Sequence, residues 1–452
     1  MNRIQPKSQL SVVYGWVAVP LIIVCWFSIE HTWESSVYFF EVSGAYDGTE
    51  NRTADSLGYV NPGSATARIV LASFGILGLI IPSHSRLALR KPMLWTMVAY
   101  LGWLVCTLLW SIDPAVTLYK LTVLSTFVLA ALGIARQLEA RQLIVMFGLT
   151  CLGFILMGVV AENSLGTFDP SADGYRFTGT AHANTQSIYA ATICLMATLL
   201  FKQHQKLSLL MLGCLLLVVG IGFLLLTRSR TTLASTLLAM IAIQGLRSRG
   251  KQRIMLVLGG TTLLITGALV IFLLGGSAKE TLGGAASMGR TESMATLSGR
   301  VPLWEELLVA CSERPILGYG YLAFWDADRV DDLSDQFRWE IPHGHNVYID
   351  IMLDGGIVAL MLFLALLLTA MISSARAYRT TSDEGYAIVF GMVWFILLHG
   401  TAESLMKLPT FSAFIFVTLV SRLVWDARVR TPRAAVADTA TVAAAERVGA
   451  SP

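Results

Sequence analysis

Long apolar segments recur along the whole chain and are separated by short polar connections. Most of them approach the roughly 20 residues that a helix needs to cross about 30 Å of hydrocarbon. The pattern therefore predicts an all-α, polytopic membrane protein with about 12 transmembrane helices. The predicted spans are residues 12–29, 67–82, 93–111, 116–134, 143–160, 185–201, 207–226, 231–246, 254–275, 347–372, 385–400 and 410–425.

The composition agrees with a membrane protein. Of 452 residues, 55% are hydrophobic and 14% are charged, and the mean hydropathy is +0.63. A soluble globular protein carries about 25% charged residues. We therefore expect membrane lipids around most of the chain and no nucleic-acid partner.

Basic residues in the short connections predict the orientation of the chain. Lys and Arg are concentrated in alternate connections, whereas connections such as 111–114 and 401–409 carry almost none. By the positive-inside rule, both termini are then cytoplasmic. The basic connections hold Arg86, Arg90 and Lys91; Arg136 and Arg141; Lys202 and Lys206; Arg247, Arg249, Lys251 and Arg253; and Arg376 and Arg379.

This orientation predicts one membrane domain over residues 1–430. Its large outer loop, over 276–346, lies between the ninth and tenth helices and contains short helices. The tail over 431–452 is rich in Ala and Thr and shows no apolar periodicity, so we expect it to be disordered and cytoplasmic.

The outer loop contains a helix start beside a cation. Ser298-Gly299-Arg300 precedes Pro302, which is typical of a first helical turn, and Trp304 follows one turn beyond Arg300 on the same face. Free N–H groups at a helix start bind anions, and an arginine there strengthens such a site. Trp304 is also typical of an anchor at the membrane interface.

The short turn over 227–230 carries two further arginines, Arg228 and Arg230, on the outer side. The planar guanidinium fork suits phosphate oxygens, and it stays charged near lipid. The alternative is that both side chains extend to lipid headgroups.

His345-Asn346 stands directly before the tenth predicted span. A histidine can take a proton from a hydroxyl near neutral pH, and Asn346 can orient it or bind a sugar hydroxyl. A helix-capping pair is the alternative, and His343 competes with His345 for the role of base. The Cys and His spacing supplies no zinc set, so we expect no metal and no cofactor.

Two other classes of function have weaker support. Asp326, Asp328, Asp331 and Asp332 form an acidic run like that of a metal–nucleotide site, but such runs are usually solvated. A polysaccharide or lipid transporter would place charges near mid-membrane. The ionisable residues instead lie near the outer ends of the predicted spans, which favours a surface active site: Lys120, Asp350, Asp354, His399 and Glu403.

Together these motifs resemble those of a known family. They are similar to the signature loop of the bacterial O-antigen ligase and O-antigen or exopolysaccharide polymerase superfamily. The resemblance covers about residues 110–400 and rests on Ser298-Gly299-Arg300 with Trp304, Pro315 with Gly318 and Gly320, His345-Asn346 with Asp354-Gly355-Gly356, Ser229-Arg230, Arg176 with Gly179, His182 and Asn184, and Trp110 with Asp113-Pro114.

The resemblance implies a metal-independent, inverting glycosyltransferase at the periplasmic face of the bacterial inner membrane. The implied donor is a glycan on undecaprenyl pyrophosphate, and the acceptor is a hydroxyl of lipid A-core or of another saccharide. Arg230 and Arg300 match the arginines that bind the pyrophosphate, and His345 matches the histidine that activates the acceptor. Arg228, Asn346, Asn184, His182 and Trp304 are supporting candidates. The motifs favour a ligase slightly over a polymerase and leave the acceptor open.

Overall fold

The computed structural model describes residues 9–36, 62–82, 87–172, 174–201, 206–248, 250, 300–339, 341–404 and 410–427. Helices dominate these residues, and the predicted all-α class is confirmed. The helices are α1 (Gln9–Glu30), α2 (Pro62–Ile80), α3 (Lys91–Cys106), α4 (Pro114–Gln137), α5 (Ala140–Leu165), α6 (Ala183–Ala197), α7 (Leu207–Leu226), α8 (Arg230–Arg247), α9 (Arg300–Glu313), α10 (Ala327–Phe337), α11 (Val347–Thr381), α12 (Glu384–His399) and α13 (Phe411–Val424).

Two three-residue strands, β1 (Leu87–Leu89) and β2 (Trp425–Ala427), pair antiparallel, with Ala88 opposite Asp426. They tie the connection between α2 and α3 to the segment that follows α13.

Every predicted span that falls on described residues coincides with a helix, although the bounds differ by a few residues. Six helices are long and apolar enough to cross a membrane, and the shorter helices Ser64–Ile80, Glu384–His399 and Phe411–Val424 are also apolar. These helices support a membrane protein. The count of 12 stays a prediction, because the span 254–275 and the tail 431–452 lie outside the described residues.

The tenth predicted span differs most from the structure. The helix continues to Thr381 instead of ending at residue 372, and its φ/ψ angles leave the helical region at Gly355 and Gly356. Gly356 has φ 68°, a left-handed conformation that favours glycine. A hydropathy pattern reports apolar length and gives no sign of a break, so the sequence predicted one continuous span.

The segment from Pro315 to Leu322 fills the break in α11, and we call it the docking loop. Its backbone pairs with that of the helix: Tyr319 N–H donates to Leu353 O, Gly320 N–H donates to Asp354 O, and Ile357 N–H donates to Pro315 O. Backbone groups freed inside a bilayer need such partners.

Two tryptophans of the α3 region hold the docking loop against the break. Trp103 Nε1 donates to Gly355 O at 2.9 Å, and Trp110 Nε1 donates to Leu317 O at 2.8 Å. The docking loop turns tightly at Gly318 and Gly320, since both glycines have positive φ.

The predicted short helices are present as α9 and α10. Their buried side chains form a small apolar cluster with the first turns of α11, through residues such as Leu307, Leu333 and Leu353. Asp326 caps α10, so the acidic run belongs to a helix start and its exposed face. The cluster fixes the start of α9 next to the first turns of α11, where the polar residues of the candidate site lie.

Candidate active site

Arg300 begins α9, as the sequence predicted. Its guanidinium donates to Glu403 Oε2 at 3.0 Å and to the backbone carbonyl of Ala402. The side chains of Arg300 and Glu403 are only 18% and 13% exposed. A guanidinium has five N–H donors, so these two partners leave others for an anion.

Glu403 also contacts His345. Its Oε1 lies 3.1 Å from His345 Nδ1. Burial disfavours the charged carboxylate, but the hydrogen bond and electrostatic interaction with His345, followed by Arg300 and His343, hold the pKa of Glu403 well below its usual value of 4.5. An ionised carboxylate only accepts hydrogen bonds, so Nδ1 is the donor.

This pairing determines which nitrogen of His345 can react. With Nδ1 protonated, a neutral ring carries its lone pair on Nε2. That atom is buried and has no hydrogen-bond partner in the described part of the chain. His345 therefore has the arrangement of a general base whose second nitrogen is held by a carboxylate.

The backbone presents His345 in a constrained way. Its φ is 47°, which is uncommon for a residue other than glycine. Gly344, directly before it, accepts a bond from Trp304 Nε1 at 2.9 Å and donates one to Asp350 Oδ1 at 3.0 Å. Trp304 thus supports, from α9, the segment over residues 343–346, which we call the histidine loop. The sequence indicated an interfacial anchor or a supporting residue at this position.

Asn346 is the N-cap of α11. Its Oδ1 accepts from the Tyr348 and Ile349 N–H groups, and its Nδ2 donates to Thr401 O at 3.1 Å. These bonds match the capping alternative for this residue. They also align the histidine loop with the turn that carries Glu403.

Asn184 is the third side chain on Glu403. Its Nδ2 donates to Glu403 Oε2 at 3.1 Å, while its Oδ1 accepts from Arg176 at 3.2 Å. Arg176 Nε in turn donates to Thr227 O at 3.1 Å. This series of hydrogen bonds, through Arg176 and Asn184, connects the turn over 227–230, which we call the arginine turn, to Glu403. His182 caps α6, and it interacts electrostatically with Arg176 and Glu403.

The turn over 227–230 lies between α7 and α8, as predicted. Arg230 begins α8, and Arg228 has φ 51°. Among the described residues, the Arg228 guanidinium has no hydrogen bond or ion pair. Thr232, in the first turn of α8, bonds both Ser229 and His399 Nε2, so the turn is held against the end of α12.

His343, His345 and Glu403 also place possible metal ligands together, with ligand atoms within 4.8 Å of one another. The sequence predicted no such set, because Glu403 is distant along the chain. Two features compete with a cation here. Arg300 already neutralises Glu403, and His343 Nδ1 accepts from the His345 N–H at 3.2 Å.

A cavity of about 70 Å³ lies beside the histidine loop. Apolar side chains of α3, α4, α11 and α13 form most of its wall, and His343, Asp350 and Asp354 line it as well. The polar site therefore adjoins an apolar chamber inside the helix bundle.

The sequence of this chain is similar to those of known proteins. Residues 214–364 match the family described as O-antigen ligase. The chain is also 26% identical over 364 residues to the exopolysaccharide production protein ExoQ of Rhizobium meliloti, covering 74% of this chain and 78% of that protein. The comparisons support the O-antigen ligase and polymerase superfamily. The resemblance seen in the sequence motifs is thereby confirmed.

The structure brings together three predicted residues, Arg300, His345 and Asn184, around a carboxylate that the sequence did not single out. Glu403 was visible as an ionisable residue at the outer end of a span, and Arg176 belonged to the motif with Gly179, His182 and Asn184. Their position was the available signal. Their role needs contacts between segments that are far apart along the chain.

Proposed function

We propose that this protein transfers a glycan from undecaprenyl pyrophosphate to a sugar hydroxyl at the periplasmic face of the inner membrane. The main support for the proposal is that the carboxylate of Glu403 binds both Arg300 and His345. Arg300 then faces the anionic leaving group, and His345 faces the incoming hydroxyl. The family match supports a lipid-linked or polysaccharide substrate.

The arginines stabilise the departing pyrophosphate. The bond between the anomeric carbon and the phosphate oxygen breaks, and its electron pair leaves with the pyrophosphate. Within the described part of the chain, Arg300 has N–H donors beyond those bonded to Ala402 and Glu403, while Arg228 and Arg230 extend from a turn that Arg176 links to the same network. Fixed cations aimed at developing negative charge are a major source of catalysis.

His345 activates the acceptor. The hydroxyl oxygen bonds to the anomeric carbon on the face opposite the pyrophosphate, which inverts the configuration, and Nε2 takes the hydroxyl proton. Glu403 stabilises the resulting imidazolium through Nδ1. General-base catalysis of this kind contributes roughly 10²–10⁴ in rate.

The arginines also make a metal unnecessary in this mechanism. We expect glycan transfer by the purified protein to be unchanged after EDTA treatment, because cationic side chains supply the charge that a metal would provide. The transfer rate before and after chelation measures this. Loss of transfer that returns with added divalent cation would contradict the metal-independent mechanism and point to His343, His345 and Glu403 as ligands.

Substitutions at the two central residues test the proposal. Arg300→Ala or His345→Ala is expected to reduce the transfer rate strongly, by roughly 10²–10⁴ for His345→Ala, while the protein remains in the membrane. Arg338→Ala removes an exposed arginine from the same part of the chain and serves as the control. Unchanged transfer in both test variants would refute the proposal that this protein is a glycosyltransferase.

The acceptor divides two versions of this function. The O-antigen ligase match favours transfer to lipid A-core, whereas the exopolysaccharide relative favours polymerisation of repeat units. Deleting the gene separates them. Chains of normal length that remain on the lipid carrier indicate a ligase, and single repeat units indicate a polymerase.

A transporter has less support, although a broken helix is typical of one. In transporters, the break lines a substrate path. Here the docking loop fills the break through backbone bonds such as Tyr319 N–H to Leu353 O.

A further inference from the structure

Two cations lie on adjacent faces of α2 and α4, away from the glycan-transfer residues. Arg68 is 8% exposed, and Lys120 is partly buried. The two are close enough for the charge of Arg68 to act on Lys120. Among the described residues, Arg68 donates a long hydrogen bond of 3.5 Å to the Tyr119 hydroxyl, and neither cation has a carboxylate in ion-pair range.

Glycine contacts fix the register of the two helices. A Cβ on Gly75 would overlap the backbone at Ala130, and one on Gly133 would overlap Gly75. Small residues allow such close approach in membranes. With Gly75 beside Ala130 and Gly78 beside Gly133, α4 begins about one turn beyond the start of α2. Lys120 therefore lies about 5 Å further than Arg68 toward that end of the bundle.

Both cations lie near the end of the bundle that holds the candidate active site. Arg68 and Lys120 are each the seventh residue of their helices, so they lie about 9 Å below the helix starts. The start of α4 contacts the docking loop, since Ile112 N–H donates to Tyr319 O. The predicted orientation places this end of the bundle at the outer membrane surface, so we expect the pair near the boundary between headgroups and acyl chains.

One side of the pair is open to the surface. Tyr119, whose hydroxyl bonds Arg68 and which precedes Lys120 in the chain, is 42% exposed. A buried cation without a counter-ion is costly, and ionisable residues in membrane helices normally pair with a partner. Because no carboxylate of the described residues pairs with these cations, an anion at the surface beside Tyr119 would supply the balancing charge.

We propose that Arg68 and Lys120 form a binding site for a phosphate group, distinct from the glycan-transfer residues. The arginine offers a planar fork to phosphate oxygens, and the lysine adds a point charge from above. Tyr119 adds a hydroxyl beside the fork. The phosphate belongs to a lipid headgroup or is free in solution, and the two sources are separable by experiment.

The test uses the full-length protein in nanodiscs. Native mass spectrometry counts retained phosphatidylglycerol, and thermal unfolding in phosphatidylcholine nanodiscs is followed with and without inorganic phosphate. The variants are Arg68→Met with Lys120→Met, and Lys120→Met alone, whose partly exposed side chain makes loss of folding less of a concern. Arg338→Met, at an exposed arginine, is the control.

Retention of phosphatidylglycerol by the parent and the control, with roughly thirtyfold weaker binding in the double variant, supports the site and identifies a lipid phosphate. This is the size expected for two cations at a membrane surface. A rise in melting temperature with inorganic phosphate that the variants lack supports the site and identifies free phosphate. Equal behaviour of parent and variants with both probes overturns the proposal.

Discussion

Glu403 makes the two central residues of the site depend on each other. Arg300 and His345 come from different segments, and each bonds a different oxygen of the same carboxylate. Removing the carboxylate would leave a poorly solvated guanidinium without its counter-ion, which is more costly than losing an exposed pair. The site is therefore a single electrostatic unit.

We expect the stability contributed by Glu403 to depend on pH. Burial alone would raise the pKa of Glu403 in the folded protein. The interactions with His345 and Arg300 outweigh burial and lower this pKa. Its contribution is thus fully present above the unfolded value near 4.5 and is lost as the pH falls through the lower folded pKa. Glu403→Gln should melt at a lower temperature than the parent at neutral pH, and the difference should shrink below pH 4.5.

Thermal unfolding in detergent across pH measures this effect. Glu306→Gln changes an exposed glutamate on α9 and is expected to follow the parent at every pH. A Glu403→Gln curve that stays parallel to the parent curve down to low pH would contradict the assigned ion pairs.

The two histidines of the loop have different predicted roles. His345 bonds Glu403, whereas His343 Nδ1 accepts from the backbone and its ring lies 4.1 Å from that of His345. We expect His345→Ala to lose roughly 10²–10⁴ in transfer rate and His343→Ala to lose much less. Initial rates with one donor and one acceptor compare them. Equal losses in both variants would remove the distinction.

Local features of the site were predictable, and distant contacts were not. Arg300 at a helix start, Asn346 at a cap and the arginine turn follow from short-range rules of capping and spacing. The partner of Arg300 lies 103 residues further along the chain. Such a pair depends on the packing of α9, α11 and α12, which periodicity does not specify.

The break in α11 places the docking loop and the histidine loop on one rigid support. Gly356 has a positive φ, and a Cβ there would overlap the backbone carbonyl of Ile316. We expect Gly356→Ala to destabilise the protein by at least about 1–3 kcal/mol from backbone strain, with additional loss from the overlap. Transfer should fall as well, because Asp350 and His345 lie on the same helix and its leading loop.

Gly102→Ala is the matched control for this substitution. Gly102 is an exposed helical glycine of α3, and an added Cβ there meets nothing within 4 Å. Melting temperatures and transfer rates of both variants measure the effect. A Gly356→Ala protein as stable and active as Gly102→Ala would show that the docking loop does not depend on this glycine.

The long helices themselves were the most predictable elements, because apolar length is a local property. The small elements illustrate the limit. The sequence showed Gly355-Gly356 as part of a motif, but a glycine pair becomes a break only when other backbone, here Pro315 and Tyr319, supplies the bonds that the helix gives up.

The orientation of the bundle is a prediction that labelling can test. The charge bias places α10 outside the cytoplasm and the end of α11 inside. In cells, Asp328→Cys should therefore react with a membrane-impermeant maleimide, whereas Thr380→Cys should react only after permeabilisation. Both positions are exposed in the structure. Labelling is measured above the background of the parent, and the opposite pattern would reverse the topology.

The all-α architecture and its membrane setting followed from hydropathy because a bilayer restricts the chain to a few solutions. The mutual arrangement of the helices did not follow. Close contacts such as that of Gly75 with Ala130 arise from small residues whose partners lie on another helix.

The docking loop has a consequence for how the molecule assembles. Pro315 and Tyr319 lie between α9 and α10, before the chain enters α11, so the groups that complete the broken helix are synthesised before the helix itself. Closing this short stretch of chain costs little conformational entropy. The docking loop and the broken part of α11 can therefore fold as one local unit. The histidine loop between them is then positioned before Glu403 is synthesised.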